Sequence, residues 1–201
     1  MRRPLAALAL ALAAVTAAAP GRAATPERVE AARVAVNLFM ETCYAHMAEP
    51  DKVAALVGPG QRLEMAELPP EMSYPFLAGR GGRAFSASGF ALALLDGGAC
   101  LVYAQKADAA ELNRYFRKVM DAANRDTFTM VETHAQERDG RSAHAWDLVP
   151  AGAHLKALRA KLGKGDYPAL FEAGLTTAPP GGLFEGMLST VNKVKAITGK
   201  D

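Results

Sequence analysis

The feature that most constrains the fold is a pair of cysteines, Cys43 and Cys100, the only two in the 201 residues. In an oxidising compartment two cysteines are expected to pair, and closing a loop of this length contributes about 4 kcal/mol on a chain-entropy argument. One alternative is two unpaired buried thiols. Another is a catalytic thiol at Cys43, paired with His46 one helical turn away. We expect the disulfide, which would tie a strand to the first helix of the domain.

The N-terminus indicates the compartment. Arg2 and Arg3 precede an unbroken apolar run over residues 5–18, which is the pattern of an export signal. This run, and every other apolar segment, is shorter than the roughly 18 to 20 residues that cross a bilayer as a helix. The pattern predicts a signal peptide over residues 1–23, cleaved near Ala23. The mature chain, residues 24–201, is predicted to be one periplasmic or secreted domain without a transmembrane segment.

Charge and composition exclude several classes of protein. Removal of the leader takes away Arg2, Arg3 and Arg22 and leaves 20 basic against 21 acidic side chains. A nearly neutral surface without runs of lysine or arginine provides no electrostatic footprint for nucleic acid. Half of the residues are apolar, which argues against disorder and allows a buried core.

Two segments have the pattern of a main helix. Residues 25–27, Thr-Pro-Glu, supply an N-cap, a proline at the first helical position and a carboxylate in the first turn. Apolar residues then recur every three or four positions in a stripe that includes Cys43. Further on, Asp108 and Glu111 form a capping-box-like start for a helix that extends to about Asn124.

Turn signals divide most of the remaining chain into hairpins. The predicted strand pairs are 83–95 with 99–105, 127–135 with 141–148, and 169–177 with 183–192. A Pro- and Gly-rich stretch over 58–82 predicts a long ordered loop, and 155–162 predicts a short helix. We therefore expect an α+β fold, a mostly antiparallel sheet built from hairpins with two main helices packed against it and one disulfide.

The central hairpin carries a candidate binding face. A two-residue turn would place the small residues and Cys100 on one face, where the first helix would dock, and large apolar residues on the other. The large residues are Phe90, Leu92, Leu94, Leu101 and Tyr103. The second helix or the Pro-rich loop would cover this face, or it would form a pocket or groove for a peptide or partner protein.

A second candidate is an anion-binding loop made of Arg80, Gly81, Gly82 and Arg83. Backbone N–H groups and two guanidinium groups could hold an anion there. The loop precedes a strand and lacks the Lys-Ser/Thr ending of a nucleotide phosphate loop. The same residues are also typical of an ordinary glycine-rich entry to a strand.

The histidines His134 and His144 flank the second hairpin and would be the most tempting metal pair. With a two-residue turn at 139–140, residue 134 pairs with 145 and residue 144 with 135, so the two rings emerge on opposite faces. An odd-length loop would permit shared coordination. We therefore expect no metal site and no cofactor, and we expect Trp146, on the same strand face as His144, to be a core residue.

Several spaced motifs run along the chain in a fixed order. They are Phe39-x3-Cys43, Leu77-Ala-Gly79-x2-Gly82-x2-Phe85, Gly98-Ala-Cys100-Leu-Val, Asp108-x2-Glu111-Leu112-x3-Phe116, Leu175-Thr-Thr177 and Gly186-Met-Leu-Ser189. This order resembles a family of uncharacterised exported proteins and lipoproteins of Gram-negative bacteria. The resemblance supports pairing of Cys43 with Cys100 and implies no activity. The chain departs from lipidated members because no cysteine follows its apolar leader.

The sequence thus predicts an exported, disulfide-linked binding or interaction domain that is not a catalyst. Its partner would be an unknown protein or small-molecule ligand, and its oligomeric state is undefined. One alternative is an envelope-acting hydrolase with a site that we do not recognise. Another is an immunity or inhibitor protein directed against a toxin or a lytic enzyme.

Overall fold

The computed structural model describes residues 24–47, 49–164 and 167–193, so the predicted signal peptide lies outside the described residues. The helices are α1 (Pro26–Phe39), continued by a π-helical turn (Met40–Tyr44), α2 (Pro50–Leu56), α3 (Pro70–Leu77), α4 (Ala109–Asn124) and α5 (Gly152–Leu162). The strands are β1 (Ala66–Glu67), β2 (Gly82–Ala87), β3 (Phe90–Leu95), β4 (Ala99–Ala104), β5 (Phe128–Arg138), β6 (Arg141–Pro150), β7 (Phe171–Thr177) and β8 (Gly186–Asn192). Within the described ranges, no helix is both long and apolar enough to span a bilayer.

The eight strands form one sheet in the order β1-β2-β3-β4-β8-β7-β6-β5, and every neighbouring pair is antiparallel. The predicted α+β class is therefore confirmed. The last hairpin, β7–β8, inserts between β4 and β6 and joins the two halves of the sheet. This insertion brings residues from the end of the chain beside residues from its middle.

One face of the sheet, which we call the helix face, carries the main core. Its central row of cross-strand neighbours is Phe85, Leu92, Val102, Leu188, Leu175 and His144. Helices α1 and α4 cover this face, and the rings of Phe39 and Phe116 meet there edge to face with centroids 5.6 Å apart. We call the other face the groove face. Helix α3 covers part of it, where Leu77 packs beside Ala84, Ala91 and Tyr103.

The predicted caps hold both main helices at their starts. The Thr25 hydroxyl accepts a hydrogen bond from the Arg28 N–H at 3.4 Å, and Asp108 Oδ1 accepts one from the Glu111 N–H at 2.8 Å. Each bond satisfies a backbone donor that the first helical turn would otherwise leave unpaired. The starts of the two helices therefore agree with the sequence.

The predicted disulfide is confirmed. Cys43, in the π-helical turn after α1, is bonded to Cys100 in β4, and their Cα atoms are 5.3 Å apart. Both cysteines are buried, and the Cys43 carbonyl also accepts a hydrogen bond from the Thr190 hydroxyl at 3.3 Å. The end of the first helix is thus fixed to two adjacent strands, β4 and β8.

The predicted strand over 83–95 is wrong, because it is two strands joined by a tight turn at Ser88 and Gly89. Both residues have a positive φ, 43° and 87°, which is the backbone shape of a two-residue hairpin turn. The Pro-rich loop over 58–82 is also wrong in part, since it contains β1 and α3. Pro70 occupies the first position of α3, where a missing N–H costs nothing.

The predicted binding face is wrong as a single surface. Leu95 pairs with Ala99, so the turn has three residues, and Leu94 lies opposite Cys100. A difference of one residue in turn length moves one strand's side chains to the opposite face. Phe90, Leu92 and Leu94 therefore lie on the helix face, whereas Leu101 and Tyr103 lie on the groove face.

The other two hairpins are confirmed. Residues 139–140 form a two-residue turn, and the register pairs His134 with Ala145 and Ala135 with His144, as predicted. A β-bulge between Glu132 and His134 leaves Thr133 out of the pairing. The last hairpin pairs β7 with β8 from Phe171 opposite Asn192 to Thr177 opposite Gly186. Helix α5 begins three residues earlier than predicted and ends at Leu162, with Gly163 as its C-cap.

Candidate groove on the sheet

Within the described part of the chain, three cavities share Arg141, the first residue of β6, as a lining residue. Two of them, of about 560 and 480 Å³, also share Thr176 and Pro179. Together these two form what we call the groove. Their volumes fall within the range of ligand sites in other proteins, roughly 300 to 1,000 Å³.

The floor of the groove is a row of cross-strand neighbours on the groove face. The row is Gln136, Ala143, Thr176 and Met187, contributed by β5, β6, β7 and β8 in turn. Side chains alternate along each strand, so Arg138 and Arg141 lie on the same face as this row. The groove therefore runs across four strands at the end of the sheet nearest the β5–β6 turn.

The apolar end of the groove is an aromatic cluster. The ring of Phe184 lies 4.5 Å from that of Tyr103 and 5.7 Å from that of Phe76, measured between centroids. The Tyr103 hydroxyl donates a hydrogen bond to the Phe76 carbonyl at 2.9 Å, so its polar atom is satisfied inside the cluster. Burial raises the pKa of Tyr103, and the charge of Arg80 offsets part of that rise. Leu183, 52% exposed, adds apolar surface at the rim.

The loop between β7 and β8 supplies this rim, and Glu185 holds the loop in place. The Glu185 N–H donates to the Ala104 carbonyl at 2.9 Å, and its own carbonyl accepts from the Ala178 N–H at 2.9 Å. Its side chain accepts from the Gly181 N–H at 3.2 Å and contacts Arg28 of α1. The rim therefore has a fixed shape although Pro179, Pro180 and Leu183 are exposed.

The opposite end of the groove is cationic. Arg141 is exposed, and its side chain has neither a hydrogen bond nor an ion pair with any residue that the structure describes. Among the described residues, the Arg138 side chain is ion-paired only with its neighbour Asp139, at 3.2 Å, and both side chains are about four-fifths exposed. An ion pair that exposed contributes little energy. The guanidinium of Arg141 is therefore free to bind an anionic group.

A third cavity, of about 460 Å³, lies beside the groove and extends to the first turns of α4, where Asn113 lines it. Its polar lining includes Ser142 and Thr177, whose hydroxyl groups are 2.8 Å apart and bond to each other. The two hydroxyls thus satisfy each other's hydrogen-bonding capacity in part, and neither is bonded to a histidine in the described part of the chain.

A polar network lies under α4, next to this cavity. His144 Nδ1 is 2.9 Å from Glu132 Oε1, the ring of His144 stacks on Trp146, and the Arg117 guanidinium lies 4.9 Å from the centre of the Trp146 ring. The hydrogen bond from His144 lowers the pKa of Glu132, and Arg117 adds to that shift. His144 Nε2 is buried and has no hydrogen-bond partner among the described residues.

The predicted site residues are dispersed. Of the five residues of the candidate binding face, only Tyr103 belongs to the groove's aromatic wall, whereas Phe90, Leu92 and Leu94 pack towards the helices. Trp146 is buried, as predicted for a core residue. His134 and His144 lie on opposite faces, as predicted.

The predicted anion loop already holds carboxylates. Arg83 forms two hydrogen bonds with Glu67, at 2.8 and 2.7 Å, and these bonds lower the pKa of the Glu67 carboxyl. Asp96 lies against Gly81, so a side chain at position 81 would collide with its carboxylate. Gly82 is part of β2, and Arg80 remains exposed without an ion pair among the described residues. Of the loop's two guanidinium groups, that of Arg83 is thus already paired, and only that of Arg80 is left for an external anion.

Apart from Tyr103, the residues that define the groove were not singled out from the sequence. Arg141 starts a predicted strand beside a turn, where a charged residue is ordinary, and Thr176 and Met187 are single members of alternating patterns. Their proximity follows only from the strand order, which places β7 and β8 next to β6. The one available signal was the Pro- and Gly-rich connection over 179–182, since long loops often carry binding residues.

No protein-family model matches the chain, and neither does any curated protein or solved structure. The fold and the groove define its class by structure alone: an α+β domain with an eight-stranded antiparallel sheet, one disulfide and a groove across four strands. Its function is therefore inferred from its own residues.

Proposed function

We propose that this protein is an exported binding domain that acts without catalysis, and that the groove is its binding site. The observation that carries the proposal is the unpaired side chain of Arg141 at one end of a groove whose other end is the aromatic cluster. A concave, largely apolar surface with one well-placed charge is the usual form of a ligand site. The domain is expected to act in the periplasm or outside the cell, because it has a disulfide and because its N-terminal sequence predicts an export leader cleaved near Ala23.

Protein-detected NMR with a library of small fragments tests the site. We expect chemical-shift changes that cluster on Arg141, Thr176 and Met187, with fragments recovered unchanged. Shifts that concentrate elsewhere, for example on α5, would remove the groove as the binding site.

Export is tested separately by expressing the full chain and sequencing the N-terminus of the secreted product. We expect a start near residue 24, and a cytoplasmic product with Met1 intact would contradict export.

The hydrolase alternative has one specific observation in its favour, the pair His144 and Glu132. A histidine oriented by a carboxylate at Nδ1, with Nε2 unpartnered, is half of an acid–base arrangement. The other half is missing, since the nearby Ser142 hydroxyl is bonded to Thr177. A fluorophosphonate probe separates the two proposals. We expect the probe not to label the protein. A hydrolase would be supported if the probe labelled the unchanged protein and if Ser142→Ala and His144→Gln each abolished that labelling.

A further inference from the structure

The two ends of the groove differ in chemistry and lie a fixed distance apart. Arg141 stands on β6 and Met187 on β8, with β7 between them. Neighbouring strands are about 4.8 Å apart, so the cationic and apolar ends are separated by about 10 Å across the sheet. A ligand that uses both ends must carry an anionic group on one side and an apolar body on the other.

The cationic end favours a carboxylate. A guanidinium binds a carboxylate through two parallel hydrogen bonds, and Arg83 with Glu67 shows that geometry elsewhere in this chain. Arg141 has no such partner among the described residues. Of the positive side chains in the described ranges, it is the one that lines all three cavities without an ion pair. Arg138 at the same end is offset by Asp139, so the remaining charge of one is matched by a single negative charge on the ligand.

The apolar end favours a flexible hydrocarbon body. Phe184 and Met187 are half-buried and Leu183 is half-exposed, so apolar area is open to a ligand there. Each leucine-sized group that a ligand buries there strengthens its binding. The polar atoms near this end are already bonded, as the Tyr103 hydroxyl shows. The end therefore offers little to a polar body.

The occupant is a small molecule and not a peptide strand. The strands β6, β7 and β8 are each paired on both sides, so their backbone N–H and C=O groups are used within the sheet. A peptide laid along the groove would lack the main-chain hydrogen bonds that strand addition requires. A small acid needs only the guanidinium and the apolar wall.

Resting on the proposed function, we infer that the groove binds a small amphipathic monocarboxylate. Its carboxylate forms paired hydrogen bonds with Arg141, and its hydrocarbon body lies across Thr176 against Leu183, Phe184 and Met187.

Titration calorimetry of the mature domain with octanoate tests the inference, with octanol as the uncharged probe of the same chain length. We expect octanoate to bind and octanol to bind at least tenfold more weakly. Arg141→Gln is expected to weaken octanoate binding about tenfold, because a charge-assisted pair becomes a neutral hydrogen bond. Its matched control is Arg159→Gln on α5, another exposed arginine without an ion pair, which should bind as the unchanged protein does.

The apolar end has a matched pair of its own. Leu183→Ser is expected to weaken octanoate binding about fivefold, since roughly half of a leucine side chain would lose its contact with the ligand. Leu162→Ser at the end of α5 removes a leucine that is 71% exposed and should leave binding unchanged. Both leucines are exposed, so neither variant should change the melting temperature much.

The outcomes separate the inference from the proposed function. Absence of octanoate binding, equal binding of octanol, or equal binding by Arg141→Gln each overturns the carboxylate inference. If fragments still map to the groove by NMR, the groove remains a binding site for a different ligand. If no fragment maps there either, the proposed function fails as well.

Discussion

Arg28 Nη1 of α1 lies 2.7 Å from Glu185 Oε2, so the start of the first helix is ion-paired with the last residue of the loop that forms the rim of the groove. Both side chains are largely buried, 18% and 5% exposed. Glu185 Oε2 accepts no aligned hydrogen bond from the described residues, so the contact is coulombic. The second nitrogen of Arg28 donates to the Ala107 carbonyl at 2.8 Å, which ties in the connection before α4.

Removing this charge should destabilise the protein. Glu185→Gln leaves a largely buried guanidinium without its carboxylate, and we expect a loss of about 2 to 3 kcal/mol in the free energy of unfolding. Urea unfolding measures it. The control is Glu67→Gln, which breaks the half-exposed pair with Arg83 and should cost less than about 1 kcal/mol. Equal losses in the two variants would contradict the assignment of Glu185 as the residue that holds the loop.

Reduction of the Cys43–Cys100 bond should lower stability by about 4 kcal/mol, because the open chain regains the entropy of a long loop. Urea unfolding with and without a reductant measures the change, and mass spectrometry of the alkylated, unreduced protein shows whether the bond is present. The double variant Cys43→Ala with Cys100→Ala should have the same unfolding free energy as the reduced protein, and the reductant should not change it. If the reductant left the stability of the unchanged protein the same, the bond would be absent or would contribute no stability.

Gly82 is expected to be required for backbone reasons and not for anion binding. Its φ is 145°, and a Cβ at this position would collide with the Leu94 carbonyl oxygen of the neighbouring strand. Gly82→Ala should therefore cost about 1 to 3 kcal/mol in unfolding free energy. Gly97→Ala, where a Cβ meets nothing within 4 Å, is the matched control and should be nearly neutral. If both substitutions were tolerated, the packing of β2 on β3 would be looser than described.

The acid sensitivity of the fold should depend on Glu111. Hydrogen bonds from Arg114 and Arg33 lower the pKa of its carboxyl from 4.5 to about 2. A lowered folded-state pKa contributes stability that is complete above about pH 4.5 and is lost as the pH falls through about 2. Both arginines are about half exposed, so we expect an effect below about 1 kcal/mol.

Melting temperatures between pH 7 and pH 2 check this. Glu111→Gln should flatten the loss of stability in the acid range, whereas Glu64→Gln, an exposed glutamate without an ion pair among the described residues, should not. An unchanged acid profile in Glu111→Gln would assign the acid sensitivity to other carboxylates.

Much of the fold could be predicted because local signals determine it. The caps at Thr25 and Asp108 start the two longest helices, and the turn at 139–140 gives the correct register because both its residues adopt positive φ. The turn at Asp96 differs, since of its three residues only Gly98 has a positive φ. Its sequence fits a two-residue or a three-residue turn equally well. The prediction assumed two residues, and it therefore placed the side chains of one strand of the central hairpin on the wrong face of the sheet.

The groove could not be predicted for a different reason. Its floor depends on the pairing of β6 with β7, and its aromatic end depends on the pairing of β4 with β8, which are separated by more than 80 residues. No local pattern specifies which strands become neighbours. The helix α3 was missed because prolines at 69, 70 and 75 are typical of a loop and because the helix is only 8 residues long. Side chains brought together by strand order, such as Arg141 and Phe184, become a recognisable set only in three dimensions.

The bulge at Thr133 has a consequence for the behaviour of the protein at high concentration. Strand β5 is the long outer edge of the sheet, and a straight edge of 11 residues would be a template on which further copies could stack into fibres. One unpaired residue in the middle of the edge bends it and puts the hydrogen-bonding groups on either side out of step. Open-ended polymerisation through this edge is therefore disfavoured, even in a crowded compartment.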